Sequence, residues 1–279
     1  MSAVAPTAGT SSSPRQSGSS VTVAAQMFGA DFLKLRKKRS TLIWALVLAI
    51  VPLVIFVAVN AVEHASNSSH EAAGGISAFH DGVRLLGGLF FGPLVAILIG
   101  VEAGTTDSSD GVFRDLVVTG RSRLALFATR VPAALALCWS IIIAAYALIL
   151  IGTFVFASNL PTPSGSLIVE GLGFVLLATG VLCMVAVGFA SLIDSKPGAI
   201  IALIAWQVIA SPLISSISSL GSGRNFVLTQ AIAHFGPAGT KDARGTEVVM
   251  SGGTALIVVL AWLAVFLALG AWRTRTMDA

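Results

Sequence analysis

Apolar residues gather along this chain in six long runs, at about 41–62, 83–101, 131–157, 167–193, 198–217 and 250–271. Between them lie short segments that hold most of the charges. A hydrocarbon core about 30 Å thick needs about 20 apolar residues of helix, which is the length of these runs. They are continuous, whereas the strands of a membrane barrel alternate apolar and polar positions over about ten residues. The pattern predicts an all-α integral membrane protein with six transmembrane helices in residues 41–272. Ahead of the first run, Val23, Met27, Phe28, Phe32 and Leu35 recur every three to four or so residues. That spacing predicts an amphipathic helix over 23–40 lying in the membrane interface, with Lys34, Arg36, Lys37, Lys38 and Arg39 anchoring it among lipid headgroups.

Residues 1–22 are Ser, Ala, Thr, Gly and Pro with Arg15 as the one charge. They bury too little apolar surface to offset their ordering entropy and read as a disordered tail. They lack the basic start and apolar core of a signal peptide, so the first span is expected to serve as the insertion signal.

Composition agrees with the runs. Charged residues are 11% of 279 and hydrophobic residues 55%, with a mean hydropathy of +0.90, whereas about 25% of a soluble domain is charged. Lys and Arg set the orientation. With a cytoplasmic N-terminus, the inner segments collect 13 of the 17 basic residues, and only Arg84, Arg224, Lys241 and Arg244 fall outside. Both termini, including the tail 273–279, are therefore expected in the cytoplasm and the chain in the cell membrane. The net charge of +4 does not imply nucleic acid, because the basic residues flank the spans, where anionic headgroups account for them. Aromatic residues interleaved with charge, as nucleic-acid binding would need, are missing.

The span interiors narrow the function. An ion-coupled carrier places ionisable groups at mid-bilayer, and these six runs offer hydroxyls and amides such as Ser140, Tyr146, Thr153, Thr179, Gln207 and Ser211 instead. Glu170 falls at the outer end of the fourth run. No GxxxxGK[ST] phosphate loop occurs, so an ATPase would be a separate polypeptide. No HExxH, paired membrane aspartates or Gly-x-Ser-x-Gly with a partner His appears, so no catalytic residues are assigned and the chain is not expected to be an enzyme. The outer loop from Glu63 to Gly82 holds His64, His70 and His80 beside Glu63, Glu71 and Asp81, but their spacing matches no compact metal site. Cys138 and Cys183 sit in apolar runs and read as packing residues. Pro52 is expected to kink the first span, and Gly88 and Gly92 form a GxxxG spacing suited to close helix approach. The outer segment 218–249, with Phe226, Leu228, Ile232 and Phe235, suits a re-entrant, interfacial or surface helix.

One segment is unlike the rest. From Glu102 through Asp110, Gly111, Arg114, Asp115, Leu116, Thr119, Gly120, Ser122 and Arg123 to Arg130, charges, glycines and hydroxyls crowd between the second and third runs. Asp110 could cap a short helix over 110–118 with Arg114 and Asp115 exposed. With the basic interfacial helix and the six spans, this segment resembles the permease subunits of type-two ABC transporters, mostly exporters. It departs from the family pattern at Val112, where Thr is common, at Gly120-Arg121, where Pro is common, and in the run 105–109. The resemblance implies that Glu102, Asp110, Gly111, Arg114, Asp115, Leu116, Ser122 and Arg123 couple the chain to an ATP-binding subunit. That partner would hold ATP and magnesium, leaving this chain without cofactor or metal. Arg130 would join the basic anchors, and a second copy or a paralogous permease would complete the transmembrane part. A hydrophobic or amphipathic substrate is expected. The alternatives are a membrane-embedded enzyme and a non-transporting assembly protein.

Overall fold

The computed structural model describes residues 20–66, 74–109, 122–193, 195–238 and 250–276. The tail 1–19 and the coupling residues Asp110, Gly111, Arg114, Asp115 and Leu116 lie outside them, as do His70 and Glu71. Among the described residues every regular element is helical, and six helices are long and apolar enough to cross a membrane. The protein is an all-α, multi-pass membrane protein.

Helix α1 (Ser20–Lys37) precedes the first spanning helix, α2 (Arg39–Ser66). Its Phe28 and Phe32 pack against the core and Leu35 is buried, so the apolar stripe legible in the sequence faces the bundle. The second span is compound: α3 (Gly75–Arg84), a π-helical turn (Leu85–Leu89) and α4 (Phe91–Ser109). The third and fourth spans are α5 (Arg123–Val155) and α6 (Gly165–Ala190). The fifth joins α7 (Lys196–Ala205), a π-helical turn (Trp206–Ala210) and α8 (Ser211–Ser216). A 3₁₀ segment (Ser218–Phe226) and α9 (Leu228–Ala233) lead towards the sixth span, α10 (Gly252–Thr276).

Both π turns stand just before a proline. Pro93 and Pro212 have no N–H to return to the carbonyl four residues back, which loosens the helical ladder at that point. At the first, Gly92 also leaves room for the Leu86 carbonyl, which a Cβ would strike. Pro52 lies inside α2, which runs unbroken from Arg39 to Ser66.

The second and fourth spans form the centre, with 65% and 67% of their most apolar windows buried, against 17%, 22% and 22% for the first, fifth and sixth. Close approach of α4 to α6 rests on Gly100 and Gly104. A Cβ on Gly100 would come within 2.6 Å of the Ala186 Cβ and the Cys183 carbonyl, and one on Gly104 within 2.7 Å of the Val187 carbonyl. The GxxxG spacing that matters is therefore 100/104. At Gly88 an added Cβ meets nothing within 4 Å. On the other face of α6, Gly188 and Gly270 bring α10 into backbone contact. Cys138 and Cys183 are free and buried, as packing residues would be.

Several boundaries differ from expectation, among them the start of the third span, at Arg123 rather than about 131. The second span begins at Gly75 rather than about 83, because Phe79, Gly82 and Val83 are buried against neighbouring helices and extend its packed face. His80 and Asp81 are thus helical rather than part of a loop, and Glu63 and His64 belong to α2. Arg84 lies within the compound span and pairs with Asp81 at 3.4 Å. In the segment 218–249, the described part is a 3₁₀ turn and α9, whose Leu228, Ala231 and Ile232 are buried, so it packs on the bundle.

Candidate functional site

The polar residues of interest converge at the end of the bundle that carries α1. Glu102 is their centre. Gly100 and Gly104 bring one face of α4 onto α6, and Glu102, halfway between them in sequence, points away from that contact. The residue is 3% exposed. Thr41, in the first turn of α2, donates from Oγ1 to Oε2 at 2.6 Å, and the Lys196 ammonium forms an ion pair with the same oxygen. Thr106, one turn further along α4, donates to the Glu102 backbone carbonyl and lies 3.4 Å from Oε1.

The position of Lys196 is informative in itself. It opens α7 behind the Ser195 cap, whose Oγ accepts from the Gly198 N–H at 3.3 Å. A cation at a helix N-terminus opposes the helix dipole, so the residue is held there by its partner across the bundle. With its side chain 35% exposed, Lys196 closes the Glu102 site on the solvent side.

A second group adjoins the first through Thr106. Asp31 of α1 accepts from the Thr129 hydroxyl of α5 at 2.7 Å. Asp31, Lys34, Leu35, Ala103, Thr106 and Arg130 line a cleft of about 10 Å³, room for about one water. The arrangement is a junction: opposite charges and hydroxyls from α1, α2, α4, α5 and α7 are brought together at the root of the 102–130 segment.

At the other root, Ser122 caps α5 by accepting from the Ala125 N–H at 3.2 Å. Arg123 donates from Nη1 to the Arg275 carbonyl at 3.3 Å, at the C-terminal turn of α10, where a cation suits the helix dipole.

The expected residues thus separate. Glu102, Ser122 and Arg123 stand at the two roots of the segment, each tied to the bundle or to its own helix. Arg36, Lys37 and Arg39 are exposed and available to headgroups, and Lys38 is half-buried at the break between α1 and α2. Lys34 turns into the cleft. Arg130 corrects the expectation of a lipid-facing anchor: it is 7% exposed, inside the bundle end, because its position on α5 faces α1 and α4. Asp31, Thr41, Thr129 and Lys196 were not singled out from sequence. Asp31 carried a signal, since it lies three residues after Phe28 and four before Leu35, within the apolar stripe of α1. Among the described residues no group of three or more His, Cys, Asp or Glu is placed to hold a metal ion.

No protein-family model matches the chain, and no curated protein matches it in sequence.

Proposed function

We propose that this chain is the transmembrane permease subunit of an ATP-driven transporter of the ABC type, exporting a hydrophobic or amphipathic substrate. Its 102–130 segment lies in the cytoplasm, with both chain termini, and docks a separate ATP-binding subunit that carries ATP and magnesium. The observation that carries this reading is the way the segment is rooted. One root is Glu102, buried and joined to α2 and α7. The other continues into α5, which reaches α1 through Thr129 and α10 through Arg123. A push on such a segment is delivered to several helices together, as a coupling element requires. The weakly buried faces of the first, fifth and sixth spans leave surface for lipid and for a second permease.

The test is charge reversal at Asp110, Arg114 and Asp115, with lysines restored nearer the membrane so that topology is kept. The expected result is loss of the co-purifying ATPase, or ATP hydrolysis uncoupled from transport, with normal membrane insertion. Reversal at Asp242 and Arg244 should leave the association unchanged. Full ATPase binding and transport in the triple variant would remove the proposal. Orientation is tested separately: a cysteine at Ser164 should react with an impermeant thiol reagent in intact cells, and one at Ser109 should react only after lysis. The chain purified free of other polypeptides should hydrolyse no ATP.

A further inference from the structure

The fifth span buries one line of residues along its length: Ala199 and Leu203 on α7, Gln207 in the π-helical turn, and Ser211 and Ser215 on α8, none more than 9% exposed. The line changes character at the turn. On one side of it, Ala199 and Leu203 join Ile97 and Val101 of α4 in an apolar cluster. On the other, the Ser211 hydroxyl pairs with that of Thr229 on α9, and the Ser215 carbonyl accepts from Arg224 Nη1 at 3.4 Å. The two halves of one span are thus packed on different neighbours.

The π turn is what keeps that line straight. An α-helix advances about 100° per residue, so Ser211 would stand about 120° round the axis from Ala199 in an unbroken helix. Instead the Ser211 N–H reaches the Trp206 carbonyl, five residues back. The wide turn takes up one extra residue, and Ser211 returns to within about 20° of Ala199. With an ordinary turn in its place, α8 would sit about 100° round, and Ala210 and Ile214 would take the positions of Ser211 and Ser215. The sequence therefore carries two lines that share Ala199 and Leu203, one polar beyond the turn and one apolar. Each has a defect. In the structure Gln207 is 5% exposed and its Oε1 has no hydrogen-bond partner. In the unbroken helix Pro212 would leave the Val208 carbonyl without an N–H and press its ring against it.

We propose that the turn Trp206–Ala210 is a two-position joint: loss and recovery of its wide turn rotate α8 by about 100° against α9, exchanging Ser211 and Ser215 for Ala210 and Ile214. The two defects oppose one another, which brings two packings of one sequence close in free energy. Rotation frees the Ser211 hydroxyl from Thr229, and a hydroxyl one helical turn from Gln207 is within reach of its unpartnered Oε1. The other hydroxyls need no new partner, because a serine or threonine in a helix returns to a carbonyl of its own preceding turn, as Ser215 does on Ser211 at 2.8 Å. Helix α7 stays in place, held by the pairing of Lys196 with Glu102 and by its apolar cluster, so the movement is confined to the half of the span that carries the serines. The joint stands independently of the transport reading, since it needs only the bundle.

The experiment is disulfide cross-linking of the full chain in lipid vesicles. Thr229→Cys is paired in turn with Ser211→Cys and with Ala210→Cys, with copper phenanthroline as oxidant and joined peptides quantified by mass spectrometry. Chains with one added cysteine set the background, and the buried Cys138 and Cys183 are common to all. Both bonds should form, the one from position 211 reporting the wide turn and the one from position 210 its loss. Pro212→Ala returns the missing N–H and should raise the ratio of the 210 bond to the 211 bond by about tenfold or more. Gln207→Leu removes the unpartnered carbonyl and should lower that ratio about fivefold. A span that is merely loose would respond to both variants in the same direction. Should the alanine variant fail to insert, Gln207→Leu decides by itself. A parent chain that forms no 210 bond overturns the proposal, as does a ratio that Gln207→Leu leaves unchanged or that both variants move the same way.

Discussion

At the α1 end of the bundle, helices are joined side chain to side chain: Glu102 to Thr41 and Lys196, and Asp31 to Thr129. At the opposite end most ties between elements run to backbone carbonyls. Tyr146 donates to the Ile168 carbonyl at 2.7 Å, Trp262 Nε1 to that of Phe226 at 3.0 Å, and the Ile76 N–H to that of Pro161 at 3.0 Å. Ser211 and Thr229 form the side-chain pair there, and a cavity between α2, α3 and α5 is lined almost wholly by hydrocarbon. The difference teaches where movement is free. Buried charges and hydroxyls have few satisfactory arrangements, so helices tied by them shift together or into another discrete state. Apolar walls impose no such register and adapt to what fills them.

Several variants would break or sharpen this contrast. Gly104→Leu should be the most damaging, because an added side chain beside the Glu102 site meets the Val187 carbonyl and Ala190 within 2.8 Å. A loss of about 3 kcal/mol or more is expected, read as loss of the folded peak in detergent chromatography. Gly88→Leu, with open space at its Cβ, should stay within about 0.5 kcal/mol. Equal damage at both positions would show that packing against α6 is not what the glycines serve.

Lys196→Met should cost about 2–3 kcal/mol by leaving the Glu102 carboxylate buried without its cation. The value lies below that of a fully buried pair because Lys196 is 35% exposed. Adding Glu102→Gln should recover most of the lost thermal stability. An unchanged melting temperature in the single variant would mean that the pair does not hold α7 to α4.

Thr41→Val and Thr129→Val should each cost about 1 kcal/mol. Melting temperatures of the two singles and the double form a cycle that asks whether Thr106 joins their groups. Additivity would make two independent clusters, and a deficit or excess beyond about 0.5 kcal/mol would make one junction.

The smallest effect belongs to the other end. In lipid-stripped micelles Thr153→Val should be neutral or stabilising by up to about 1 kcal/mol, since it removes a hydroxyl that has no protein partner. Clear destabilisation there would reveal a protein acceptor for that hydroxyl.

Much of the architecture was legible because membrane spans are a matter of length and hydropathy, which neighbours in the chain carry between them. Helix α1 was legible from Phe28, Phe32 and Leu35, and Glu102, Ser122 and Arg123 from their place in the polar segment. Arg130 differs from its expected place, since a basic residue at a span's edge has the same sequence signature whether it faces headgroups or a cleft inside the bundle. The extension of the second span to Gly75 was hidden for a related reason: Ser77, His80, Asp81 and Arg84 lower its hydropathy, while Phe79 and Val83 bury one face of it. The π turns had a sequence cue in Pro93 and Pro212, whose missing N–H groups leave the helical ladder open just upstream.

By itself the sequence determined that the chain is helical and spans a membrane, which regions are spans, and where charge gathers, because those properties are sums over adjacent residues. Tertiary structure alone decided that Lys196 meets Glu102 across 94 positions, that Gly100 and Gly104 rather than Gly88 bring α4 onto α6, and that the Thr153 hydroxyl is buried without a hydrogen-bond partner. Each of these depends on the rotation of one helix about its axis relative to another. That rotation is set by how small and large side chains interlock over the whole interface, which no local stretch of residues encodes.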